Sequence, residues 1–509
     1  MRPLFTNKVQ ATADWRGDLL ALLAGALLPL AFAPFGIFPL AVIIPALLFA
    51  LWLHVSPRRA MWRGLLFGLG MFGTGVTWIY VSIYEFGGVS LPLSVFLMTL
   101  FVIVLAWFPA LFGYFVIRFY PAPTPAALRV KLLLIFPAGW TFFEWVRSWF
   151  LTGFPWLNLG YSQIDTPLAG LAPVLGVYGV SWASAFSAGL LLAAVLDKGS
   201  VWHRLRPIAV LLVLWITAGL LGMQQWSQPT GTPLKVSLIQ GNIPQDIKWT
   251  PDIRDPTLEL YLRMTREHWD SNLIIWPETA MPVFYHEAEA FLGALAEEAR
   301  EHHADMLIGV PVMDMRTQRY YNSMTSLGSH QGFYHKHHLV PFTEYLPMKS
   351  ALAGVVDFLQ VPMSDFSKGG LDQQPLSVAG QKAGISICYE AVFGEEVIRQ
   401  LPDATLLVNV SNDAWFGHSI GPLQHLQITR MRALETGRPL LRATNTGITA
   451  IIGPNGKQLA VAPQFKTYAL TATVQPMSGA TPYVRVGNMP VVVMLVLALL
   501  MGLFLAKRR

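Results

Sequence analysis

The chain has 509 residues, 53% of them hydrophobic and 13% charged, with a mean hydropathy of +0.45. Soluble domains carry about 25% charged residues, so a wholly soluble protein is excluded and much of the chain belongs in lipid. The net charge of +6 does not point to nucleic acid, because many basic residues sit in short connections between apolar runs rather than clustering on the polar part.

Apolar runs at 18–35, 37–54, 63–84, 91–117, 132–150, 168–196 and 207–223 predict seven membrane spans, and 490–506 an eighth. Each approaches or exceeds the roughly 20 residues that cross a bilayer core. The first run begins late, is followed at once by a second and lacks a clear small-x-small cleavage site, so it reads as a span and not as a signal peptide. Arg2, Lys8 and Arg16 precede the first run, and Arg58, Arg59 and Arg63 lie between the second and third. Arg118, Arg129 and Lys131 separate the fourth from the fifth, and Lys198, Arg204 and Arg206 the sixth from the seventh. Lys507, Arg508 and Arg509 follow the last, while the alternate connections are nearly free of Lys and Arg. By the positive-inside rule both termini are expected in the cytoplasm and segment 224–488 on the opposite side. Two short runs forming one re-entrant hairpin would leave that parity unchanged. The expected organisation is a helical bundle over 1–223, a polar domain over 224–488, and a last span with a basic tail over 489–509.

One connection stands out. Glu144-Trp145-Val146-Arg147 is followed by Gly153-Phe154-Pro155-Trp156-Leu157-Asn158. Glu144 and Arg147, three apart, share a helix face near a membrane boundary. They read either as an intrahelical ion pair beside an aromatic belt or as a surface that holds a lipid headgroup.

Segment 234–475 alternates short apolar strands with amphipathic helices. Strands are expected at 236–239, 273–276, 306–310, 384–388 and 405–410, and helices at 256–269, 287–302, 391–400 and 424–436. Residues 321–327 and 332–335 read as a β-pair, and 440–444 with 449–452 as a hairpin region before the turn Gly453-Pro454-Asn455-Gly456. The pattern is an α/β domain with a central sheet covered by helices.

Candidate chemistry falls at strand ends, where sites assemble in open α/β sheets. Glu278 follows one strand, Cys388 ends another, and Asn412-Asp413 follows a third. Cys388 is the chain's single cysteine, so it cannot form an intrachain disulfide. It is either buried filler or a nucleophile. A helix starting after it would favour the thiolate, and the nearby Glu390 and Glu395 would oppose it. A cation is then needed, and Lys336 in Tyr334-His335-Lys336-His337-His338 supplies one. Glu278 follows the buried run Ile274-Ile275-Trp276, which suggests a partly desolvated carboxylate able to act as base toward a thiol. The histidines do not read as a metal site: His337 and His338 are adjacent and no His-Glu-x-x-His spacing occurs. No metal or cofactor is expected.

Trp276-Pro277-Glu278, Lys336 and Cys388-Tyr389-Glu390, in that order, resemble the nitrilase superfamily (carbon–nitrogen hydrolases). The resemblance implies an αββα sandwich with a Glu-Lys-Cys triad. The apolar N-terminal region and the final span narrow the resemblance to bacterial apolipoprotein N-acyltransferases, over essentially the whole chain. Gln240-Gly241-Asn242-Ile243-Pro244-Gln245, Lys336 to Phe342 with Glu344, Asn412-Asp413-Ala414-Trp415-Phe416 and Gly153-Phe154-Pro155-Trp156 match as well.

What the resemblance implies is a ping-pong acyl transfer. A phospholipid would donate an acyl chain to Cys388, giving a thioester. The α-amino group of a diacylglyceryl-cysteine at an apolipoprotein N-terminus would then take it. Glu278 would be the base and Lys336 the oxyanion cation, with Glu344 and Glu390 orienting groups. Trp249, Tyr389 and Trp415 would touch substrate. The enzyme would sit in the bacterial inner membrane as a monomer, its catalytic domain in the periplasm. The apolar segment 345–366 reads as an arm that admits lipid. The rival reading is a membrane-tethered amidase acting on a small amide, which the triad permits but the large bundle does not require.

Overall fold

The computed structural model describes residues 15–345 and 365–507. The chain divides into two compact units, one made of Met1–Ile79, Pro92–Gln224 and Val486–Arg509, the other of Tyr80–Leu91 and Gln225–Arg485.

In the first unit, five helices among the described residues are long and apolar enough to cross a membrane: Leu91–Phe119, Pro125–Arg147, Pro167–Leu196, Val201–Gly222 and Met489–Ala506. Pro57–Gly75 and Trp78–Phe86, bent by 55°, make a sixth span if counted as one. Eight spans are expected from the sequence, and by length and composition the described residues supply these five or six. Trp15–Leu27 and Leu40–Trp52 are helices of 13 residues each, about 20 Å long against a bilayer core of about 30 Å. The cause is local: Pro29, Pro34 and Pro39 interrupt the apolar sequence, and proline removes a helix donor and clashes with the preceding turn. Small residues bring the helices close. A Cβ on Gly25 would lie 2.0 Å from the Phe67 carbonyl oxygen, and one on Gly68 2.5 Å from Ala106 Cα, so both crossings require glycine.

The second unit is a four-layer sandwich. In chain order its strands are β1 (Ser227–Pro229), β2 (Leu234–Gln240), β3 (Leu273–Ile275), β4 (Asp305–Asp314), β5 (Arg319–Leu327), β6 (Gly332–His335), β7 (Leu376–Val378), β8 (Gln381–Ile387), β9 (Leu406–Ser411), β10 (Leu440–Thr444), β11 (Ala450–Ile452), β12 (Gln458–Val461), β13 (Tyr468–Val474) and β14 (Met477–Gly479). Among the described residues, one sheet runs β13-β2-β3-β4-β5-β6, the other β12-β11-β10-β9-β8-β7, and β1 pairs with β14 apart from both. Strands β2, β3 and β4 are parallel, as are β8, β9 and β10.

Period-two alternation builds the layers. Val236, Leu238, Leu273 and Ile275 of one sheet and Ile385, Ile387, Val408 and Val410 of the other share one buried core. Their alternates face outward. Ile274, Met306 and Ile308 pack on Pro251–Arg266 and Glu289–Glu301 through Tyr261, Met264, Leu292 and Leu295. Leu407 and Leu440 pack on Gly421–Thr436 through Leu426 and Ala433.

The helix expected at 391–400 is not continuous. A 3₁₀ turn at Cys388–Val392, a helical turn at Gly394–Val397 and a second 3₁₀ turn at Ile398–Gln400 occupy it. Glu390 turns back to accept the Ile387 N–H at 2.7 Å, and Phe393 is extended with ψ 92°, which breaks the helix at its start. The segment that follows Cys388 therefore brings it no long helix dipole.

Ile385→Ala on the shared inner face should cost about 2–5 kcal/mol. Leu459→Ala, on an outer strand and 59% exposed, should stay within about 0.5 kcal/mol. Thermal unfolding of the two variants in detergent compares them; equal losses would contradict the layer assignment.

Candidate active site

The ends of β3, β6, β8 and β9 converge on one cluster. Glu278 follows β3 after a turn through Pro277. Gly309 on β4 makes room for that turn: a Cβ there would meet the Pro277 carbonyl oxygen at 2.2 Å. Glu278 is 6% exposed. Its Oε1 accepts from Asn322 Nδ2 at 2.7 Å and from Lys336 Nζ at 3.4 Å, and its Oε2 accepts the Asn412 backbone N–H at 2.7 Å.

Lys336 comes directly after β6, and its backbone N–H donates to the Asn322 carbonyl at 2.8 Å. Its Nζ donates to Glu344 Oε1 at 2.8 Å. Glu344 is held in turn by Asn322 Nδ2 at 3.1 Å and the Val340 N–H at 2.8 Å. Lys336 is buried, which disfavours its charge. The carboxylates of Glu344 and Glu278 beside it outweigh that burial and hold its ammonium protonated well above the usual lysine range.

Cys388 is partly exposed and sits at φ +51°, a left-handed conformation that non-glycine residues rarely adopt. Burial of its sulfur pushes the thiol well above its ordinary range, and Glu278 and Asp413 push the same way. Lys336 and the Ser411 side chain pull back without prevailing. The shift favours a thiol that holds its proton until a base takes it, the task the sequence reading gives to Glu278.

Glu390 lies under the cysteine turn. It accepts the N–H groups of Ile387 at 2.7 Å, His337 at 2.6 Å and His338 at 3.1 Å, and the Tyr334 hydroxyl at 3.1 Å. Burial pushes its carboxyl up to about 7 against these donors and Lys336. It ties the Cys388 turn to the Lys336 segment.

Glu278, Lys336, Glu344 and Cys388 are therefore brought together, with Glu390 as the staple behind them. Tyr389 is partly buried, edge-on to Phe393 at 5.1 Å and to His338 at 5.7 Å. Trp415 is partly buried. Its carbonyl accepts from Ser82 Oγ at 2.7 Å, and its ring meets Phe86 edge-on at 6.1 Å. Trp249 is 52% exposed. The proposed arm falls on 345–366, of which 346–364 lie outside the described residues.

Glu144 and Arg147 belong to the first unit and are buried there. Glu144 Oε1 accepts from Trp140 Nε1 and the Leu159 N–H, each at 2.8 Å. Arg147 donates to the carbonyls of Phe154 and Trp156 and to Asn158 Oδ1. These contacts hold the Gly153–Asn158 loop from inside the bundle, instead of presenting charge at a surface.

Sequence reading missed Asn322, Lys248 and the groups beneath Cys388. Asn322 was within reach: the β5–β6 register pairs Ser323 with His335, so the next pair along is Asn322 and Lys336. Lys248 donates to Thr279 Oγ1 at 2.9 Å, and burial lowers its ammonium to about 8. Nothing in the string Ile247-Lys248-Trp249 signals a buried lysine.

Residues 24–190 match the family described as "Apolipoprotein N-acyltransferase N-terminal domain" and residues 235–483 the family "Carbon-nitrogen hydrolase". The chain is 50% identical to an apolipoprotein N-acyltransferase of Methylococcus capsulatus, covering 96% of each chain. It is 47% identical to one of Nitrosomonas europaea, covering 92% of this chain and 94% of that one. A third, of Coxiella burnetii, is 43% identical, covering 95% of this chain and 99% of that one.

With a single cysteine in the chain, alkylation reads Cys388 directly. An ordinary thiol levels off above about pH 8.5 as it becomes thiolate. A raised thiol keeps its proton to higher pH, so the rate with iodoacetamide should still be climbing beyond about pH 9. A plateau near neutrality would contradict the assignment.

Proposed function

The chain belongs to the apolipoprotein N-acyltransferases of the carbon–nitrogen hydrolase superfamily and is an N-acyltransferase; from that premise we propose that Cys388, Glu278 and Lys336 carry its acyl transfer through a thioester on Cys388. The donor is a membrane phospholipid and the acceptor an apolipoprotein. The observation that carries the assignment is the shared carboxylate of Glu278, held between Asn322, Lys336 and the Asn412 N–H in the cluster that holds Cys388.

In the first half-reaction Glu278 takes the Cys388 proton as the sulfur attacks the ester carbonyl. The tetrahedral oxyanion forms beside the Lys336 ammonium, which Glu344 fixes in place. Collapse breaks the acyl C–O bond. The lysophospholipid oxygen takes the proton from Glu278, and the acyl group stays on sulfur. In the second half-reaction the α-amino group of the acceptor's diacylglyceryl-cysteine attacks the thioester carbonyl and gives a proton to Glu278. The C–S bond breaks, the sulfur recovers the proton, and an amide leaves. A charged Lys336 between two carboxylates suits it to both oxyanions without itself donating a proton.

Trp249, Tyr389 and Trp415 supply apolar surface for the acyl chains. The alternating Lys and Arg content of the connections supports cytoplasmic termini and a periplasmic catalytic domain over 224–488, and a monomer suffices because the triad comes from one chain. The small-amide hydrolase reading gives way to membership of the acyltransferase family.

The test is the intact mass of purified protein in detergent after incubation with phospholipid and no acceptor. One fatty-acyl adduct, released by hydroxylamine and absent in Cys388→Ala, is expected. Glu278→Gln should slow its formation by about 10²–10⁴-fold, and Lys336→Met by about 10²–10³-fold. An adduct that persists in Cys388→Ala, or none with any of several donors, would overturn the assignment.

A further inference from the structure

The left-handed turn at Cys388 needs a partner that keeps it there, because L-residues relax out of that region unless their surroundings prevent it. Its carbonyl oxygen supplies the handle. That oxygen meets His425 Nε2 at 3.2 Å and Asn409 Nδ2 at 3.4 Å. His425 comes from the helix Gly421–Thr436 on the outer face of the second sheet and is 1% exposed. Behind it stand Arg442 of β10 and Asp413, both buried. Arg442 donates to Asp413 Oδ2 at 2.6 Å, to His425 Nδ1 at 3.0 Å and to Asn409 Oδ1. Ser411 Oγ adds a bond to Asp413 Oδ1 at 2.7 Å.

These contacts determine the state of the imidazole. A carbonyl oxygen only accepts, so Nε2 must carry a hydrogen. Arginine only donates, so its N–H on Nδ1 requires a lone pair there. Asp413 Oδ1 also approaches Nδ1, at 3.3 Å, and would favour a second proton. Burial and the Arg442 charge act against that proton and lower the imidazole from its usual range. His425 is then neutral, with its one N–H spent on the Cys388 carbonyl.

We propose that His425 is a positioning residue for the nucleophile: it holds the Cys388 carbonyl in the left-handed turn, and Arg442 with Asp413 fixes the tautomer that lets it do so. The proposal rests on Cys388 being the nucleophile. It adds that the sulfur's aim toward Glu278 is set through the Cys388 backbone carbonyl, by a residue of the helix that packs on the second sheet. Losing the N–H frees the turn to relax, and the sulfur then reaches the attacking geometry less often. The expected loss is in rate and not in donor affinity.

Thioester formation with phospholipid, followed by intact mass in single-turnover mode on the full chain, compares His425→Met with His425→Gln. Met fills the space without a donor, and Gln carries an N–H to about the same place. His425→Met should be slower by about 10–100-fold, with the donor concentration at half-maximal rate unchanged. His425→Gln should stay within about three-fold of the parent, since it restores the aim. Parental speed in His425→Met, or a folded His425→Gln as slow as Met, would overturn the proposal. An adduct that forms equally well in Cys388→Ala would instead remove the nucleophile reading beneath it. If His425→Met does not fold, nitrogen NMR of histidine-labelled parent decides, with the resonance assigned by its absence in His425→Gln. A neutral Nε2–H tautomer from about pH 8 down to about pH 6 is expected; an Nδ1–H tautomer would leave a lone pair facing the carbonyl and end the proposal.

Discussion

A single carboxylate joins the two sheets of the catalytic unit at the site. Glu278 has two oxygens with room for about four donors. Oε1 is taken by Asn322 and Lys336 from the first sheet, and Oε2 by the Asn412 N–H at the end of β9 in the second. The group that must move a proton is therefore also the group that fixes the separation of the sheets at that point. Such a carboxylate is held still at both ends, as a base that must meet a thiol, an alkoxide and an amine in one geometry requires. Glu390 repeats the device one layer away, gathering the N–H groups of Ile387, His337 and His338. The nucleophile's turn and the cation's segment are tied by one acid, and the other, the base itself, spans both sheets.

The charges in this cluster follow from that arrangement. Lys336 is buried, and a lone buried ammonium would lose its proton. Two carboxylates beside it reverse the outcome. The cost of burying one cation and two anions is offset only because hydrogen bonds meet them all around. Burial raises the Cys388 thiol, and the negative neighbours Glu278 and Asp413 push the same way. A preformed thiolate would add a third anion around one lysine. Holding the thiol neutral until an acyl carbonyl arrives avoids that, and it protects the chain's single cysteine from unproductive alkylation or oxidation, because the thiolate is the reactive form.

Much of this was legible before any coordinates. The strands expected at 236–239, 384–388 and 405–410 are the ones whose Val236, Leu238, Ile385 and Val408 build the inner core. The positions of Glu278, Lys336 and Cys388 after apolar runs marked the site edge. What failed did so for physical reasons. The helix at 391–400 was inferred from pattern, but the Glu390 side chain is spent on Ile387 and the cysteine turn, and the segment breaks into short turns. The short helix Leu40–Trp52 is apolar along its length, and hydropathy does not weigh Pro39 at its start. His425 and Arg442 read as an unremarkable histidine in an amphipathic helix and an arginine in a strand. Only the parallel pairing of β8, β9 and β10 brings that arginine behind Cys388, and register over such sequence distances cannot be read from composition.

Glu144 and Arg147 illustrate why a charge in an apolar helix does not by itself mark a ligand site. Buried charges in membrane bundles invite a functional reading, yet buried irregular backbone makes its own demand. Leu151, Thr152 and Leu157 have positive φ, so the loop that follows the helix cannot satisfy its carbonyls along a helical ladder. Buried as Trp156, Leu157 and Asn158 are, such groups have no water to turn to. Arg147 takes the carbonyls of Phe154 and Trp156, and Glu144 takes the N–H of Leu159. One cation and one anion thus supply donors and an acceptor to a loop that lacks both. The aromatic residues around them, Trp78, Phe154 and Trp156, stack into the same body. A lipid headgroup would have to compete with the chain's own backbone for these charges. The pair is therefore better understood as what allows a non-helical loop to exist inside the bundle, and the Gly-Phe-Pro-Trp string as the sequence that loop requires.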